Sequence, residues 1–361
     1  MSIDKGHNDH KEQTPIELRT TPHLHTAQDI VDIMRNVVFA ILPISAWSVW
    51  QFGLMALLLL ITVTASCLLT ERLFNYTSGE PNTLGDYSAV ITGLLLALTL
   101  PPAFPLWMAV VAGFVAMALG KVMFGGLGMN VFNPALVGRA FVQAAFPVAI
   151  TTWTPALFEG RFTQLSPSTL TTPFMIPPPV SEWNTSVAID AFSGATPLAL
   201  QKFEQVSTPA IDLVLGNVAG SSGETSALII MLCGLYLAFR NMLDWRIPFF
   251  IMIGTIGTSG GLYLMDPGTN PDPLFMLFSG GLMLGAWFMA TDMVGSPVTP
   301  LGVAVYGLFI GVVTVVIRVY GGLSEGVMYA ILLANAATPL IDQYTKPRVF
   351  GQVKQSPVKK S

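Results

Sequence analysis

Six stretches of this chain contain no Asp, Glu, Lys or Arg, and they constrain the fold more than any other feature. Residues 36–70, 87–120, 247–265, 273–291, 293–317 and 326–341 are free of charge. A helix that crosses a bilayer needs about 20 mainly apolar residues. Each of the first two stretches is long enough for one helix, a tight turn and most of another. Only 11% of the chain is charged and 52% is hydrophobic, whereas soluble domains carry about 25% charged residues. A large soluble globule is excluded.

Division by length predicts an all-α polytopic membrane protein of about ten transmembrane helices. They fall near residues 33–52, 54–72, 87–101, 105–124, 133–152, 226–243, 247–265, 274–292, 299–318 and 324–342. Pro and Gly interrupt several of them. Leu100-Pro101-Pro102 ends the third, and the stretch from Asp292 to Pro300 follows the eighth. A bilayer tolerates broken backbone only where protein or a watery cavity covers it. Five spans precede a long polar segment and five follow it. An odd number per half gives the halves opposite orientation, so the pattern reads as two inverted five-helix halves with broken helices. The expected organisation is an N-terminal arm (1–32), a first membrane half (33–153), a polar loop (154–225), a second membrane half (226–344) and a basic tail (345–361).

Two related pentapeptides stand before membrane spans: Gly85-Asp86-Tyr87-Ser88-Ala89 and Gly223-Glu224-Thr225-Ser226-Ala227. The acid or the serine of such a motif can satisfy the free N–H groups that open a helix. Capping is preferred here to a direct role of Asp86 or Glu224 in ion handling.

Lys and Arg set the orientation. Lys5, Lys11, Arg19 and Arg35 lie before or in the first span, and Lys346, Arg348, Lys354, Lys359 and Lys360 follow the last. Lys121, Arg240 and Arg246 fall at connections assigned to the same side. The polar loop holds only Arg161 and Lys202. Both termini are therefore expected in the cytoplasm and residues 154–225 outside, with Arg318 on the wrong side of this scheme. The first residues, with His7, His10, His23 and His25, show no short apolar core after a basic start, so they read as a cytoplasmic arm and not a secretory signal. Acidic ligands at fixed spacing are missing there, and no metal site is predicted. Cys67 and Cys233 lie in apolar segments and read as small core residues. Neither CxxC nor iron–sulfur spacing occurs, and a net charge of −4 gives no sign of nucleic-acid binding.

The polar loop opens with Ser, Thr and Pro, including Pro177-Pro178-Pro179, which favour extended chain. Asp190-Ala191-Phe192-Ser193-Gly194-Ala195-Thr196-Pro197 follows. Thr at the cap and Pro at the first helical position predict a short helix that starts at Thr196. The end of a helix that offers free N–H groups favours a phosphate. The string Asp, two residues, Ser-Gly-Ala-Thr resembles the site where a flavin transferase links FMN to a threonine hydroxyl through a phosphoester. In this reading Thr196 carries the group, and Ser193 donates a further hydrogen bond. Gly194 and Ala195 let the backbone approach the phosphate, and Asp190 serves recognition by the transferase or orients the loop. Taken alone, Thr-Pro would be only a helix cap.

Three further segments carry a wider resemblance: residues 125–140 (GGLGMNVFNPALVGRA), 216–226 (GNVAGSSGETS) and 288–297 (FMATDMVGSP). Over about residues 33–345 the chain resembles the family that holds the RnfD component of the Rnf ion-translocating electron transport complex and the NqrB component of the sodium-pumping NADH:quinone reductase. Its length and its Ser-Gly-Ala-Thr form favour the former. The resemblance implies a multi-pass subunit of the bacterial inner membrane, surrounded by lipid and by the other subunits of its complex. It implies FMN on Thr196, and by analogy a second, non-covalent flavin such as riboflavin, whose pocket the sequence does not locate. The complex would move electrons between ferredoxin and NAD, coupled to sodium or proton movement. The rival readings are a small-solute channel or secondary transporter, and a purely structural anchor for redox partners.

Other residues weigh less. Asn133-Pro134-Ala135 matches a tripeptide of water channels, but helix-start chemistry explains it. Arg139 and Asp292 are expected near helix ends, where snorkelling relieves the cost of a charge in lipid. Asn184-Thr185-Ser186 fits a glycosylation acceptor pattern without other signs of a eukaryotic secretory protein.

Overall fold

The computed structural model describes residues 29–79, 83–187, 195–216, 218–224 and 226–347. The four histidines of the arm lie outside the described residues, as do Asp190, Ser193, Gly194 and the tail from Arg348 onward.

Among the described residues every regular element is helical. The first group is α1 (Ile30–Phe52), α2 (Leu54–Ser78), α3 (Ser88–Thr99), α4 (Leu106–Gly120), α5 (Pro134–Ala145) and α6 (Pro147–Ile150). The polar loop contributes α7 (Ser181–Val187), α8 (Pro197–Ala199) and α9 (Ala210–Leu215). The second group is α10 (Ala227–Phe239), α11 (Arg246–Met265), α12 (Pro273–Phe278), α13 (Leu282–Leu284), α14 (Pro300–Tyr320) and α15 (Val327–Thr345). π-helical turns continue α8 over Leu200–Glu204 and α13 over Gly285–Met289.

Five helices are long and apolar enough to cross a bilayer: α1, α2, α4 with its 3-10 extension, α11 and α14. Helices α3 and α10 are apolar but shorter. The chain is a multi-pass membrane protein, as its charge-free stretches require. The third and eighth expected spans break, and the fifth is divided between α5 and α6 at Phe146. Helix α3 stops at Leu100, ahead of Pro101 and Pro102. The eighth is divided by Ser279-Gly280-Gly281, where Gly280 adopts φ +62°.

Both breaks have their free carbonyls answered within the protein. Leu98 O accepts from the Gly223 N–H at 2.7 Å, and Leu100 O accepts from the Ser222 N–H at 3.0 Å and from the Ser222 hydroxyl at 3.0 Å. Met276 O and Ser279 O accept from the Arg318 guanidinium at 2.6 and 2.9 Å. This corrects the topological use of Arg318. It does not mark a side of the membrane, because it is buried and its donors close a broken helix inside the fold.

Helix α2 packs along α3 and α4, and α4 along α5; α11 packs along α12 and α14, and α14 along α15. The two groups meet where α1 lies on α10 and α5 on α15, and one apolar core runs through both. Backbones approach closely between α11 and α14. A Cβ on Gly311 would lie 2.5 Å from Ile251 O and 2.7 Å from the Thr255 nitrogen. Small residues at such crossings replace the hydrophobic drive that lipid removes.

The polar loop is fastened to this body. Arg161 donates through Nε to Trp50 O at 2.9 Å, and its guanidinium lies 5.2 Å from the centre of the Trp50 ring. Gln51 at the end of α1 donates to Gly216 O at 2.7 Å.

Candidate functional site

Thr196 caps α8 as its sequence predicts. Its φ and ψ are −77° and 158°, and its hydroxyl oxygen accepts from the Ala199 N–H at 3.3 Å. Pro197 takes the first helical position, where its missing N–H costs nothing. Helix α8 is only three residues long before the π-helical turn begins. Ala195 adjoins the cap, and the rest of the motif lies outside the described residues.

Thr196 is buried, at 4% exposure. It lines a small cavity together with Ala219, Gly220, Glu224 and Gly280. The free space, about 10 Å³, admits about one water. Neither a phosphate nor a flavin ring fits in that space, so a group esterified to the Thr196 oxygen requires the cover over the hydroxyl to move aside.

Lys202, in the π-helical turn that follows, fixes this segment. Its ammonium donates to Arg318 O at 2.8 Å, to Leu323 O at 2.9 Å and to Gly321 O. These carbonyls lie at and just beyond the end of α14, where the helix leaves them without partners. Partial burial pushes the Lys202 ammonium below its usual pKa, and the three carbonyls hold the charge in place against that push.

A buried charge cluster lies under the cap. Arg139 projects from the middle of α5 at 6% exposure. Its guanidinium stands 3.3 Å from Glu325 Oε2 and 3.7 Å from Glu224 Oε1. Glu224 also accepts from the Ser221 hydroxyl at 2.7 Å. The Gly280-Gly281 break passes directly over these groups. A Cβ on Gly280 would meet Arg318 Nη2 at 3.1 Å and Glu325 Oε1 at 3.2 Å, and one on Gly281 would meet Glu224 Oε1 at 2.9 Å. Arg139 therefore does not snorkel, contrary to expectation. Paired carboxylates and not lipid headgroups meet the cost of its charge.

The two pentapeptides behave differently. Asp86 Oδ1 accepts from the Ser88 N–H at 2.8 Å and so caps α3. In the second motif Ser226 caps α10, accepting from the Ile229 N–H at 3.4 Å. Glu224 turns inward to the cluster instead. Lys121, assigned from sequence to a connection on the side of the termini, is buried and bonded to Glu71 and to the Ser88 hydroxyl.

A second cavity, about 130 Å³, lies at the opposite ends of these helices. Trp287, Phe288 and Leu243 give it apolar walls, and Lys121, Asn130 and Asp292 give it polar ones. The Trp287 indole N–H is buried with no acceptor among the described residues. Asp292 accepts from the Val294 N–H at 3.2 Å and from Asn130 at 3.4 Å. Asn133 caps α5, as its helix-start chemistry requires, accepting from the Ala135 N–H at 3.0 Å. Asn184 is buried and donates to Trp153 O at 2.9 Å, so it is no glycosylation acceptor in this fold. Cys67 is buried and Cys233 partly so, and both are free. Among the described residues no group of His, Cys, Asp and Glu is arranged to hold a metal ion.

Sequence reasoning missed Arg318, Glu325 and Lys202 as site residues. The available signal was isolation, since a single charge flanked by apolar spans marks a function or a partner.

Comparison with known proteins places the chain among relatives that match it over most of its length. The NQR2, RnfD, RnfE family model matches residues 17–351. The chain is 38% identical over 335 residues to the D component of the proton-translocating ferredoxin:NAD(+) oxidoreductase complex of Clostridium ljungdahlii, covering 92% of this chain and 96% of that protein. It is 39% identical over 343 residues to the D component of the Na(+)-translocating ferredoxin:NAD(+) oxidoreductase complex of Acetobacterium woodii, covering 94% and 96%. Identity to the D component of the ion-translocating oxidoreductase complex of Alcanivorax borkumensis is 37% over 342 residues, covering 92% and 96%. On these matches, the chain belongs to the NQR2, RnfD, RnfE family.

Proposed function

We propose that this chain is a membrane redox subunit carrying FMN as a phosphoester on Thr196, in a complex that passes electrons between ferredoxin and NAD and couples them to proton or sodium movement. The observation that carries the reading is the cap itself. Thr196 presents an oxygen that accepts but whose hydrogen no described residue takes up, on a segment that Lys202 fastens to the body. The names of the relatives support the ferredoxin and NAD assignment. FMN would supply one- and two-electron chemistry, while the protein sets its position and the charge around it. Maturation requires a flavin transferase, and function requires the other subunits of the complex.

A second, non-covalent flavin of the riboflavin type belongs to the same reading. The cavity under Trp287 supports it, with apolar walls, a few polar groups and one unanswered indole donor. The two five-helix halves are read as inverted, with α2, α4 and α5 answering to α11, α14 and α15. The shared order of packing supports this, α2 on α4 on α5 beside α11 on α14 on α15. Both termini are assigned to the cytoplasm of a bacterial cell and Thr196 to the outer side of its inner membrane.

In-gel fluorescence tests the proposal. Chain co-expressed with its flavin transferase should fluoresce in a denaturing gel, gain the mass of FMN less water, and lose both with Thr196→Val. A mature chain without that increment would turn the broken helices toward the solute-transporter alternative. Electron transfer that survives Thr196→Val would leave only an anchor for redox partners.

A further inference from the structure

We infer that residues 170–176 of the polar loop dip into the lipid bilayer and seat Phe174, Met175 and Ile176 at the boundary between headgroups and acyl chains. The inference is independent of the flavin reading of Thr196.

The level of the loop carries the first part of the argument. Gln51 O, at the end of α1, accepts from the Leu157 N–H at 2.9 Å. Arg161 O accepts from the Leu54 N–H that opens α2 at 2.9 Å, and Thr169 O accepts from the Leu106 N–H that opens α4 at 3.1 Å. All three helices are long and apolar enough to cross a bilayer. Residues 157–169 therefore follow the level at which the chain leaves the hydrocarbon. Trp50 in the last turn of α1 and Trp107 in the first turn of α4 stand at that level, where tryptophan is enriched in membrane proteins.

Phe174 sets the lateral position. Its ring centre lies 5.7 Å from that of Trp107. Trp107, Val110 and Phe114 share the i, i+3, i+7 spacing of one helix face, and Val110 and Phe114 are exposed. That face of a spanning helix meets lipid. Phe174 thus continues the lipid-facing stripe of α4 past its end, on the flank of the bundle and not over its centre.

The segment also has the composition that lipid accepts. Phe174 and Ile176 are each 91% exposed and Met175 is 62% exposed. No Asp, Glu, Lys or Arg occurs in residues 162–181, so the stretch lacks the charges that steer a protein partner. Unanswered N–H groups make backbone costly to bring toward hydrocarbon. Pro173, Pro177, Pro178 and Pro179 have none, and the Met175 N–H is given to Thr172 O at 3.2 Å. Phe174 holds φ +65°, a costly conformation for a bulky residue, and such outliers cluster where a segment has a binding role.

The test is spin-label accessibility on the full chain in lipid nanodiscs, in a Cys233→Ser background that leaves Cys67 buried. Labels are placed at Ile176→Cys, at Phe114→Cys as the lipid reference and at Glu182→Cys as the aqueous one. Oxygen concentrates in lipid and a nickel chelate in water. The Ile176 label should favour oxygen as the Phe114 label does, while the Glu182 label favours nickel. A label at Leu170→Cys should favour oxygen too, and lose that preference when Phe174, Met175 and Ile176 are all replaced by serine. This second variant shows that the native side chains, and not the label, seat the segment. Nickel preference at Ile176 overturns the proposal. If that access closes only when the other subunits assemble, the patch belongs to a protein partner instead. Oxygen preference at Leu170 that survives the serine replacements also overturns the assignment to these three side chains.

Discussion

Replacing Gly223 with alanine should unsettle the protein, while the same change at Gly85, its counterpart in the first pentapeptide, should not. An alanine Cβ at Gly223 would stand 2.7 Å from the Leu98 Cβ and 3.1 Å from Leu98 O. The loop would have to withdraw from the end of α3, where the Gly223 N–H now answers Leu98 O at 2.7 Å. Overpacking of this kind costs about 1–3 kcal/mol, and leaving a buried carbonyl unanswered costs about 1–3 kcal/mol. Since the same retreat relieves one as it causes the other, the two are alternatives, and about 1–3 kcal/mol is the working figure. At about 2–4 °C per kcal/mol, the scale for chains somewhat shorter than this one, the midpoint should fall by roughly 2–12 °C. A Cβ on Gly85 meets nothing within 4 Å, so Gly85→Ala should stay within about 0.5 kcal/mol. The assay is reaction of Cys67, fully buried in the folded chain, with a thiol-reactive dye during heating, in a Cys233→Ser background. Equal midpoints for the two variants would refute the assignment of the second pentapeptide's glycine to the break in α3.

Lys202→Met removes three donors from the end of α14. After allowance for solvent screening this costs about 1 kcal/mol, so amide exchange over residues 197–204 and 318–323 should rise about fivefold; unchanged exchange would deny Lys202 its fastening role. Gly234→Ala would drive a Cβ to 2.4 Å from the Trp287 ring and displace the wall of the inner cavity. Non-covalent flavin per chain should then drop while covalent flavin stays at one, and retention of both would remove that cavity from the cofactor reading. In the loop after α11 the Thr269 hydroxyl, and then the Gly268 N–H, hold the Asp266 carboxyl below its ordinary value of 3.8. The loop contact is therefore fully present above that value and is lost as pH falls through the lowered one. Carbon-13 titration of Asp266 should give a midpoint under the ordinary value that Thr269→Val raises, and a midpoint at the ordinary value would contradict the hydrogen bonds.

Much of the fold was legible because it depends on local chemistry. Thr196-Pro197, Asn133-Pro134 and Ser226 cap helices in the structure as their sequence spacing requires, since a cap needs only its own first turn. One break was announced by Pro101-Pro102, whereas that at Gly280-Gly281 falls inside a span read as continuous, the expected interruption lying after it at Asp292 to Pro300. What answers those breaks was not legible. Leu98 is met by Gly223, and Met276 by Arg318, across separations that no spacing rule covers. Arg139 failed the snorkelling argument for the same reason. Its carboxylate partner Glu325 is 186 residues away, and the cost of a charge in lipid depends on whether such a partner arrives.

Arg318 shows how a residue that defeats a topology rule organises the site. Its guanidinium closes the broken end of α12, its carbonyl receives Lys202 from the Thr196 segment, and its Nη2 stands where a Cβ on Gly280 would touch it. The planar fork of arginine reaches two carbonyls at once, which a single ammonium does with less defined geometry. The position therefore suits arginine on stereochemical grounds and glycine at Gly280 on steric ones. A chain of hydrogen bonds thus runs from the Thr196 segment through Lys202 to the end of α14, whose Arg318 guanidinium closes the break beside Glu224 and Glu325.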